Sequence, residues 1–361
     1  MIGDPMRKIV DRVRQYISLF DEESGFYMRS GIFRDGKEIA EDPFMAGFPE
    51  LLDVGIMGHC THGLSGLCKS GVQCYQDGWN ISQPNMSTDD FLTIARQCQG
   101  RSYQFALGGR GDPDQHEEFE SILRICREYE IVPNFTSSGL GFDEEIIRLC
   151  ETYCGVVAIS WHGQSYTKKP IKGLIDVGVK TNIHFVLSRE SVKKAKNFLR
   201  DEVPTGVNAV SFLLHKPIGL GRKENLLLWD NGDLRELFRY IDEETFPFKI
   251  GFDSCSVPGL LPSMKRINVH SLDTCEAARW SAYVTPDMKL LPCSFDNQEE
   301  RWAVDLRNHT IEETWNSPEF VQFRSSFLTS CPDCGMRKQC MGGCPICPEI
   351  VLCKDKMAVR V

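Results

Sequence analysis

The sequence LLDVGIM at 51–57 is followed directly by GHCTHGLSGLCKSGVQCY at 58–75. The first part is an apolar run of the length of a buried strand, and the second is a glycine-rich segment with three cysteines, Cys60, Cys68 and Cys74. Three thiolates on one loop can bind three irons of a cubane cluster and leave the fourth iron without a protein ligand, as in an open catalytic site rather than a closed structural one. A zinc site formed by these cysteines with His59 or His62 is the alternative.

Strands and helices are predicted to alternate outward from this stretch. The predicted strands are 51–57, 103–107, 131–135, 156–160, 180–187, 209–214 and 248–252. The predicted helices are 87–98, 115–129, 142–152, 168–177, 190–201 and 231–244. This alternation is typical of a parallel sheet with right-handed crossovers. At least six strand–helix units fit between residues 50 and 250, which is too few for a closed eight-fold barrel, so we predict an α/β fold with a partial, TIM-like (β/α)6 barrel.

Chemistry in such barrels lies beyond the carboxyl ends of the strands, and polar or glycine-rich segments follow several of the predicted strands. These segments are Cys60 after the first strand, 108–113 after the second, 137–139 after the third, 161–163 after the fourth and 215–221 after the sixth. We therefore expect the functional site at this end of the barrel.

The two ends of the chain differ from the barrel pattern. Apolar residues at helical spacing predict a helix over 6–20, and two short strands with a turn at Asp35-Gly36 follow it. We interpret 1–47 as an N-terminal extension, 48–254 as the barrel and 255–361 as a small C-terminal domain. A hairpin over 283–293 and a helix over 311–326 are predicted there, ahead of a cysteine-dense tail.

Charge and cysteine usage narrow the classes of function. The 41 Lys and Arg against 50 Asp and Glu give a net charge of -9, which argues against nucleic-acid binding, and no apolar run is long enough to span a membrane. The N-terminus lacks a signal-peptide pattern, so we expect a cytoplasmic protein, in which disulfides are rare. Sixteen cysteines then favour iron–sulfur clusters. Four of them lie within or directly after predicted helices and are interpreted as buried apolar residues: Cys98, Cys126, Cys150 and Cys154.

The 58–75 loop resembles the cluster-binding loop of the radical SAM superfamily. That family's cysteines are separated by three and then two residues, with an aromatic before the last cysteine; here the intervals are seven and five, and Tyr75 follows the last cysteine. The resemblance implies a divergent CX7CX5C loop in which Cys60, Cys68 and Cys74 bind a catalytic [4Fe–4S] cluster that engages S-adenosylmethionine.

The segment after the second predicted strand, GGRGDP at 108–113, looks like the same family's glycine-glycine-acid motif. By this resemblance Gly108 and Gly109 approach the methionyl group of S-adenosylmethionine and Asp112 accepts its amine. A plain strand–helix connection is the alternative for this turn. The further cofactor contacts implied by position in the family are Tyr75, Ser137, Ser160 and His162.

The tail closely resembles the SPASM pattern of auxiliary iron–sulfur domains. Its spacing is Cys275-x17-Cys293 followed by Cys331-x2-Cys334-x5-Cys340-x3-Cys344. The resemblance implies one auxiliary cluster on Cys275, Cys293 and Cys344, completed by Cys255. It implies a second on Cys331, Cys334 and Cys340, completed by Cys353 or Cys347. A pair of zinc ribbons is the alternative, although these pair two CxxC motifs.

Together these resemblances imply a radical SAM enzyme with a C-terminal SPASM domain. Such an enzyme reductively cleaves S-adenosylmethionine to a 5′-deoxyadenosyl radical, which abstracts hydrogen from a substrate. SPASM relatives mostly act on ribosomally made peptides or proteins, by crosslinking, excision, epimerisation or oxidation. The expected partners are the peptide substrate, a separate recognition protein and an electron donor such as flavodoxin or ferredoxin. A small metabolite as substrate, or electron transfer alone, are the competing interpretations.

Overall fold

The computed structural model describes residues 6–31, 33–35, 37–38, 43–64, 68, 74–329, 331 and 333–353. Its strands are β1 Met6–Asp11, β2 Tyr16–Asp21, β3 Phe26–Gly31, β4 Phe33–Arg34, β5 Lys37–Glu38, β6 Leu51–Met57, β7 Gln104–Gly109, β8 Val132–Ser137, β9 Val156–Ser160, β10 Lys180–Leu187, β11 Ala209–Leu214, β12 Lys249–Phe252, β13 Ser281–Val284, β14 Lys289–Leu291 and β15 Val304–Asp305. Its α-helices are α1 Thr61–Leu64, α2 Thr88–Cys98, α3 Phe119–Glu128, α4 Glu144–Tyr153, α5 Ser165–Asp176, α6 Val192–Asn197, α7 Gly232–Glu243, α8 Val257–Ser263, α9 Ile311–Trp315, α10 Pro318–Thr329 and α11 Arg337–Cys340.

A large sheet organises the molecule, with the strand order β12-β11-β10-β9-β8-β7-β6-β13-β14-β15. The seven strands from β6 to β12 are parallel and lie in chain order, each pair connected by a segment that contains helix. The two edges of the sheet do not meet among the described residues, so the barrel is open. The predicted α/β fold with a partial barrel is confirmed.

The two faces of the parallel strands differ in polarity because successive side chains alternate between them. In β6, Leu52, Val54 and Ile56 are fully buried in the core that includes the helices. The opposite face is polar further along the sheet, where Asn134 donates a hydrogen bond to Gln104 Oε1 at 2.7 Å. The barrel therefore has an apolar outer layer under its helices and a polar inner face.

The helices begin close to their predicted positions. The hydroxyl of Ser87 accepts a hydrogen bond from the Asp90 amide at 3.1 Å and caps α2, as expected. The predicted helix at 115–129 begins only at Phe119, because Pro113–Gln115 forms a short 3-10 turn first. The predicted helix at 190–201 is α6 followed by a wider helical turn over Phe198–Glu202.

The helix predicted over 6–20 is wrong, because this segment forms β1 and β2, which pair antiparallel. The chain turns at 12–15, where Gln15 has a left-handed φ of 58° and Val13 is 88% exposed. Alternate residues of β2, including Tyr16 and Phe20, are buried. The apolar spacing was compatible with a helix, but a surface elsewhere in the chain favours strands.

That surface is the end of the barrel at which the parallel strands begin. Arg7 donates to the Tyr103 carbonyl at 2.7 Å, and Tyr16 donates to Glu50 Oε1 at 3.0 Å. Lys180, the first residue of β10, donates to the carbonyl of Glu22. The β1–β3 sheet therefore lies across the amino ends of the barrel strands. The predicted hairpin around Asp35 is also present as β4 and β5, although Gly36 lies outside the described residues.

The C-terminal part extends the barrel sheet. Strand β13 pairs in parallel with β6, with Ser281 opposite Leu51, and the predicted hairpin is β13 with β14. The single helix predicted over 311–326 is wrong, since α9 ends at Trp315 and α10 begins at Pro318. A proline has no amide hydrogen to donate and is well suited to a first helical turn.

No helix within the described ranges has the length and apolar character that a membrane span requires.

Candidate functional site

Three predicted cluster cysteines lie together where β6 ends. Cys60 precedes α1, and the Gly63 amide donates to its sulfur at 3.1 Å. Burial first, and then the nearby Cys60 and Cys68 thiols, raise the pKa of Cys74 to about 11. The intervening residues 65–67 and 69–73 lie outside the described part of the chain. The structure therefore gathers three thiols from a long loop at the carboxyl end of the first barrel strand.

The turn after β7 packs directly against this loop. The Cys60 amide donates to the Gly78 carbonyl at 3.2 Å. A Cβ on Gly78 would lie 2.1 Å from the Arg110 carbonyl oxygen and 2.7 Å from Cys60 Cβ. Only glycine allows this approach, which places the glycine-rich turn beside the cysteine loop.

Asp112 lies in this turn, but its carboxylate is already bonded. Its Oδ1 accepts from the Ser138 amide at 2.9 Å, and its Oδ2 accepts from the Ser138 hydroxyl. Burial raises the pKa of Asp112, and burial first and then the charge of Asp112 raise the pKa of the Cys60 thiol. The predicted amine acceptor is thus close to the cysteine loop, with both oxygens bonded to Ser138.

Asp114, which the sequence analysis did not single out, has the freer carboxylate. It is 7% exposed, and its Oδ1 has no hydrogen-bond partner among the described residues. Burial first, and then the charge of Asp112, raise its pKa to about 7. Its position two residues after Asp112 was the signal that could have identified it.

The other predicted cofactor contacts lie at neighbouring strand ends. Gly108 and Gly109 end β7, and the Ser137 hydroxyl at the end of β8 accepts from the Gly139 amide at 3.0 Å. Ser160 ends β9, and His162 follows it. The buried His162 Nε2 has no hydrogen-bond partner among the described residues, and burial lowers the His162 pKa to about 4. His162 is therefore a neutral imidazole at neutral pH.

Tyr75 connects the cysteine loop to the C-terminal part. Its ring lies against Phe295, with a centroid distance of 4.7 Å, and burial raises its pKa to about 12. Phe295 follows Cys293 by two residues. Arg110 donates to the Gln76 carbonyl at 2.6 Å in the same contact region. Tyr75, predicted to contact the cofactor, is thus part of the packing between two cysteine groups.

The first predicted auxiliary group is assembled in the structure. Cys255 and Cys344 are in hydrogen-bond contact, which raises the pKa of Cys255. Burial raises the pKa of Cys275 and Cys293, and the charges of the other thiols in the group raise it further. These four cysteines come from distant parts of the sequence.

The second predicted group is also gathered together. Burial raises the pKa of Cys340, and the neighbouring Cys353, Cys331 and Cys334 raise it further. Cys347 lies instead beside Cys344, whose sulfur accepts from the Cys347 amide at 3.3 Å. The structure therefore places Cys353 with the second group and Cys347 next to the first.

The remaining four cysteines lie away from these groups. Cys98, Cys126 and Cys150 are fully buried in helices, which confirms their interpretation as core residues. Cys154 differs, since it lies just after α4, is only partly buried and is in hydrogen-bond contact with Cys150.

Within the ranges that the structure describes, no three His, Cys, Asp or Glu side chains converge tightly enough to hold a single metal ion. A four-iron cluster needs a wider spread of thiolates, so this finding concerns mononuclear sites alone. The donor set of one group of three thiols and two groups of four fits cubane clusters, for which cysteine thiolates are the usual ligands.

Comparison with known proteins identifies the C-terminal domain and the fold. The family model of the SPASM domain, described as an iron-sulfur cluster-binding domain, matches residues 275–345. A structure of SuiB from Streptococcus suis superposes with a TM-score of 0.72 at 14% identity, over 98% of this chain and 100% of that one. A structure of anSMEcpe with bound S-adenosylmethionine superposes with a TM-score of 0.60 at 15% identity, over 85% of this chain and 92% of that one.

A curated relative, a probable GTP 3′,8-cyclase of Saccharolobus solfataricus, is 26% identical over 187 residues, which is 47% of this chain. The match spans 59% of the length of that relative.

The fold is that of the radical SAM enzymes that carry auxiliary iron–sulfur domains. Residues 275–345 of this chain form a SPASM iron–sulfur cluster-binding domain, and the SPASM resemblance found in the sequence is confirmed.

Proposed function

We propose that this protein is a radical SAM enzyme that abstracts hydrogen from a ribosomally made peptide or protein during its modification. The observation that carries the proposal is the group of three thiols, Cys60, Cys68 and Cys74, beside the glycine-rich turn after β7. Three thiolates leave one iron of a cubane open, and S-adenosylmethionine bound there supplies a 5′-deoxyadenosyl radical on reduction.

The chain's own residues orient these cofactors. The raised pKa values of Cys60 and Cys74 mean that both thiols release protons when they bind metal. The free oxygen of Asp114 suits an ammonium group, while Asp112 holds Ser138 in place. Neutral His162 offers a buried ring nitrogen for a hydrogen bond to the ligand. We assign Asp114 as the amine acceptor in preference to Asp112.

Two auxiliary [4Fe–4S] clusters complete the proposal. Their ligands are Cys255, Cys275, Cys293 and Cys344 for the first, and Cys331, Cys334, Cys340 and Cys353 for the second. Both groups lie in the C-terminal part, and the first is connected to the catalytic loop through the contact of Tyr75 with Phe295. An electron donor such as flavodoxin or ferredoxin, a separate recognition protein and a cytoplasmic location remain part of the proposal.

A peptide substrate is supported by the shape of the barrel and by the solved relatives. The β1–β3 sheet covers the amino ends of the strands, so we expect the substrate to enter at the carboxyl ends, where the cysteine loop lies. SuiB has been solved bound to the precursor peptide SuiA, and anSMEcpe with a peptide termed Cp18Cys. We extend that substrate class to this chain.

A nucleotide is the second candidate, because the curated relatives are probable GTP 3′,8-cyclases. A triphosphate needs cationic groups that are available to bind it. The buried cation Lys216, at the carboxyl ends of the strands, instead binds a protein group, since its ammonium donates to Asp253 Oδ2 at 2.6 Å. Because its charge is already paired within the protein, we favour a peptide over a nucleoside triphosphate as the substrate.

The test is an anaerobic reaction of the reconstituted enzyme with S-adenosylmethionine, dithionite and a precursor peptide encoded beside its gene. We expect 5′-deoxyadenosine and a peptide mass change, both lost in Cys60→Ala. The matched control is Cys154→Ala, a partly buried thiol outside the cluster groups, which should keep both activities. A parallel reaction replaces the peptide with GTP. Conversion of GTP with no change in the peptide would overturn the peptide assignment, and 5′-deoxyadenosine formation by Cys60→Ala would overturn the catalytic site.

A further inference from the structure

A buried lysine lies beside the first auxiliary cysteine group. Lys216 follows β11 and is 4% exposed. Its ammonium donates to Asp253 Oδ2 at 2.6 Å and to the Leu214 carbonyl at 3.1 Å. It also lies 4.4 Å from the centre of the Phe295 ring. This ammonium is therefore held in one place, with little access to solvent.

Its partner Asp253 is equally fixed. Asp253 Oδ2 also accepts from the Leu214 amide at 3.1 Å, and Oδ1 accepts from the Ser256 hydroxyl at 2.6 Å. Cys255, a proposed cluster ligand, lies between Asp253 and Ser256 in the same short turn. The ion pair is thus attached to the backbone segment that presents this cysteine.

The thiols of the auxiliary group act on the lysine. Burial alone would lower the pKa of Lys216, but the charges of Asp253, Cys255 and Cys344 raise it overall. Through Asp253 and the Phe295 ring, the Lys216 ammonium is held beside the two chain segments that carry Cys255 and Cys293.

We propose that Lys216 is a positioning residue whose fixed charge raises the reduction potential of the first auxiliary cluster, with Asp253 opposing it. The proposal rests on the cysteine assignment made under the proposed function. An iron–sulfur cluster gains one negative charge on reduction, and nearby charge and hydrogen bonds set its potential. In a buried site a neighbouring cation stabilises the reduced form more strongly than it would in water.

Lys216 and Asp253 carry opposite charges, so removing each charge should shift the reduction potential in opposite directions. Lys216→Met removes a positive charge and should lower the potential of this cluster. Asp253→Asn removes a negative charge, keeps an oxygen acceptor for the Leu214 amide, and should raise the potential. The double variant should return toward the parent value, and Lys216→Arg should preserve it. Structural damage would not give opposite shifts.

The measurement is an anaerobic redox titration followed by electron paramagnetic resonance. The full chain carries Cys60→Ala, Cys68→Ala and Cys74→Ala, so that only the auxiliary clusters contribute. We expect each single variant to change the ratio of oxidised to reduced cluster at fixed potential at least tenfold, which is 59 mV for a one-electron couple. The second auxiliary cluster serves as an internal reference and should not shift.

The matched control is Lys172→Met, since Lys172 forms an exposed pair with Asp176 on α5. It should leave both potentials unchanged. The parent should bind about eight irons, four in each auxiliary cluster. If it does, a change of less than threefold in the ratio of oxidised to reduced cluster would overturn the role of Lys216. Potential shifts of the same sign in both single variants would also overturn it. A parent without auxiliary clusters overturns the cysteine assignment, and the role of Lys216 with it.

Discussion

Two adjacent glycines at the end of β7 have different surroundings. Gly109 has a φ of 119°, and a Cβ there would lie 2.5 Å from the Met57 carbonyl oxygen and 2.7 Å from its amide nitrogen. Gly108 has nothing within 4 Å of the Cβ position. Gly109 is therefore required by the packing of β7 on β6, whereas Gly108 leaves space into which a ligand can approach.

Substitution of each glycine by alanine separates these roles. Gly109→Ala should lower stability by roughly 1–3 kcal/mol, because the backbone must leave its conformation. Gly108→Ala should change stability by less than about 0.5 kcal/mol. If the turn contacts S-adenosylmethionine, Gly108→Ala should still weaken its binding about tenfold. Anaerobic thermal unfolding and equilibrium binding measure the two effects, and unchanged affinity in Gly108→Ala would remove this glycine from the cofactor site.

At the level of secondary-structure elements, the β1–β3 sheet depends on contacts with the barrel for its conformation. The hydroxyl of Tyr103, which lies just before β7, forms three hydrogen bonds to this sheet. It is bonded to Ser18 Oγ at 2.8 Å, donates to the Ser18 carbonyl at 2.9 Å and accepts from the Ile9 amide at 3.0 Å. One buried hydroxyl thus joins both β1 and β2 to the barrel.

Loss of this hydroxyl should loosen the sheet. Tyr103→Phe should lower stability by roughly 1–3 kcal/mol, since the Ile9 amide and the Ser18 hydroxyl both lose a partner. Tyr129→Phe is the control, because the Tyr129 hydroxyl accepts a hydrogen bond from the exposed Arg96 at 3.2 Å. Anaerobic thermal unfolding should show a lower midpoint for the first variant alone. Equal midpoints in the two variants would contradict the anchoring role of Tyr103.

Over the whole molecule, the barrel and the C-terminal part share one sheet and are in contact around their cysteine groups. Strand β13 pairs with β6, and the Tyr283 ring covers Gly55, where a Cβ would lie 2.4 Å from its hydroxyl oxygen. The cysteine loop begins three residues after β6 ends, at Cys60. The geometry of the three cysteine groups is therefore set by a continuous framework.

Removal of cysteines from different groups should have different consequences. The intact protein should bind about 12 irons, four in each of three clusters. Cys60→Ala/Cys68→Ala/Cys74→Ala should lose about four irons and all 5′-deoxyadenosine formation with little change in unfolding midpoint. Cys331→Ala/Cys334→Ala should also lose about four irons. In addition, this variant should lower the thermal unfolding midpoint by at least about 4 °C, because a metal-bound segment loses its fold with its metal.

Cys150→Ala/Cys154→Ala is the matched control, since these two thiols lie outside the three groups and should leave the iron content intact. Zinc in place of iron after anaerobic purification would contradict the cluster assignment as a whole.

The sequence by itself determined the barrel, because alternation of apolar strands with amphipathic helices is a local pattern. Strands β9, β10 and β11 begin and end where the pattern predicts. Cysteine spacing likewise identified the SPASM domain, because the intervals between cysteines can be compared directly in the sequence.

Tertiary structure decided what depends on contacts between distant segments. The 6–20 segment has an apolar spacing compatible with either helix or strand, and only the barrel end against which Tyr16 and Phe20 pack makes it a sheet. Asp114 and Lys216 lie in segments that the sequence marks only as polar strand ends, and their importance comes from burial and from the groups that folding places around them. The sequence left Cys353 and Cys347 as alternative ligands, and only folding distinguishes them, since a thiol's neighbours are fixed by the path of the whole chain.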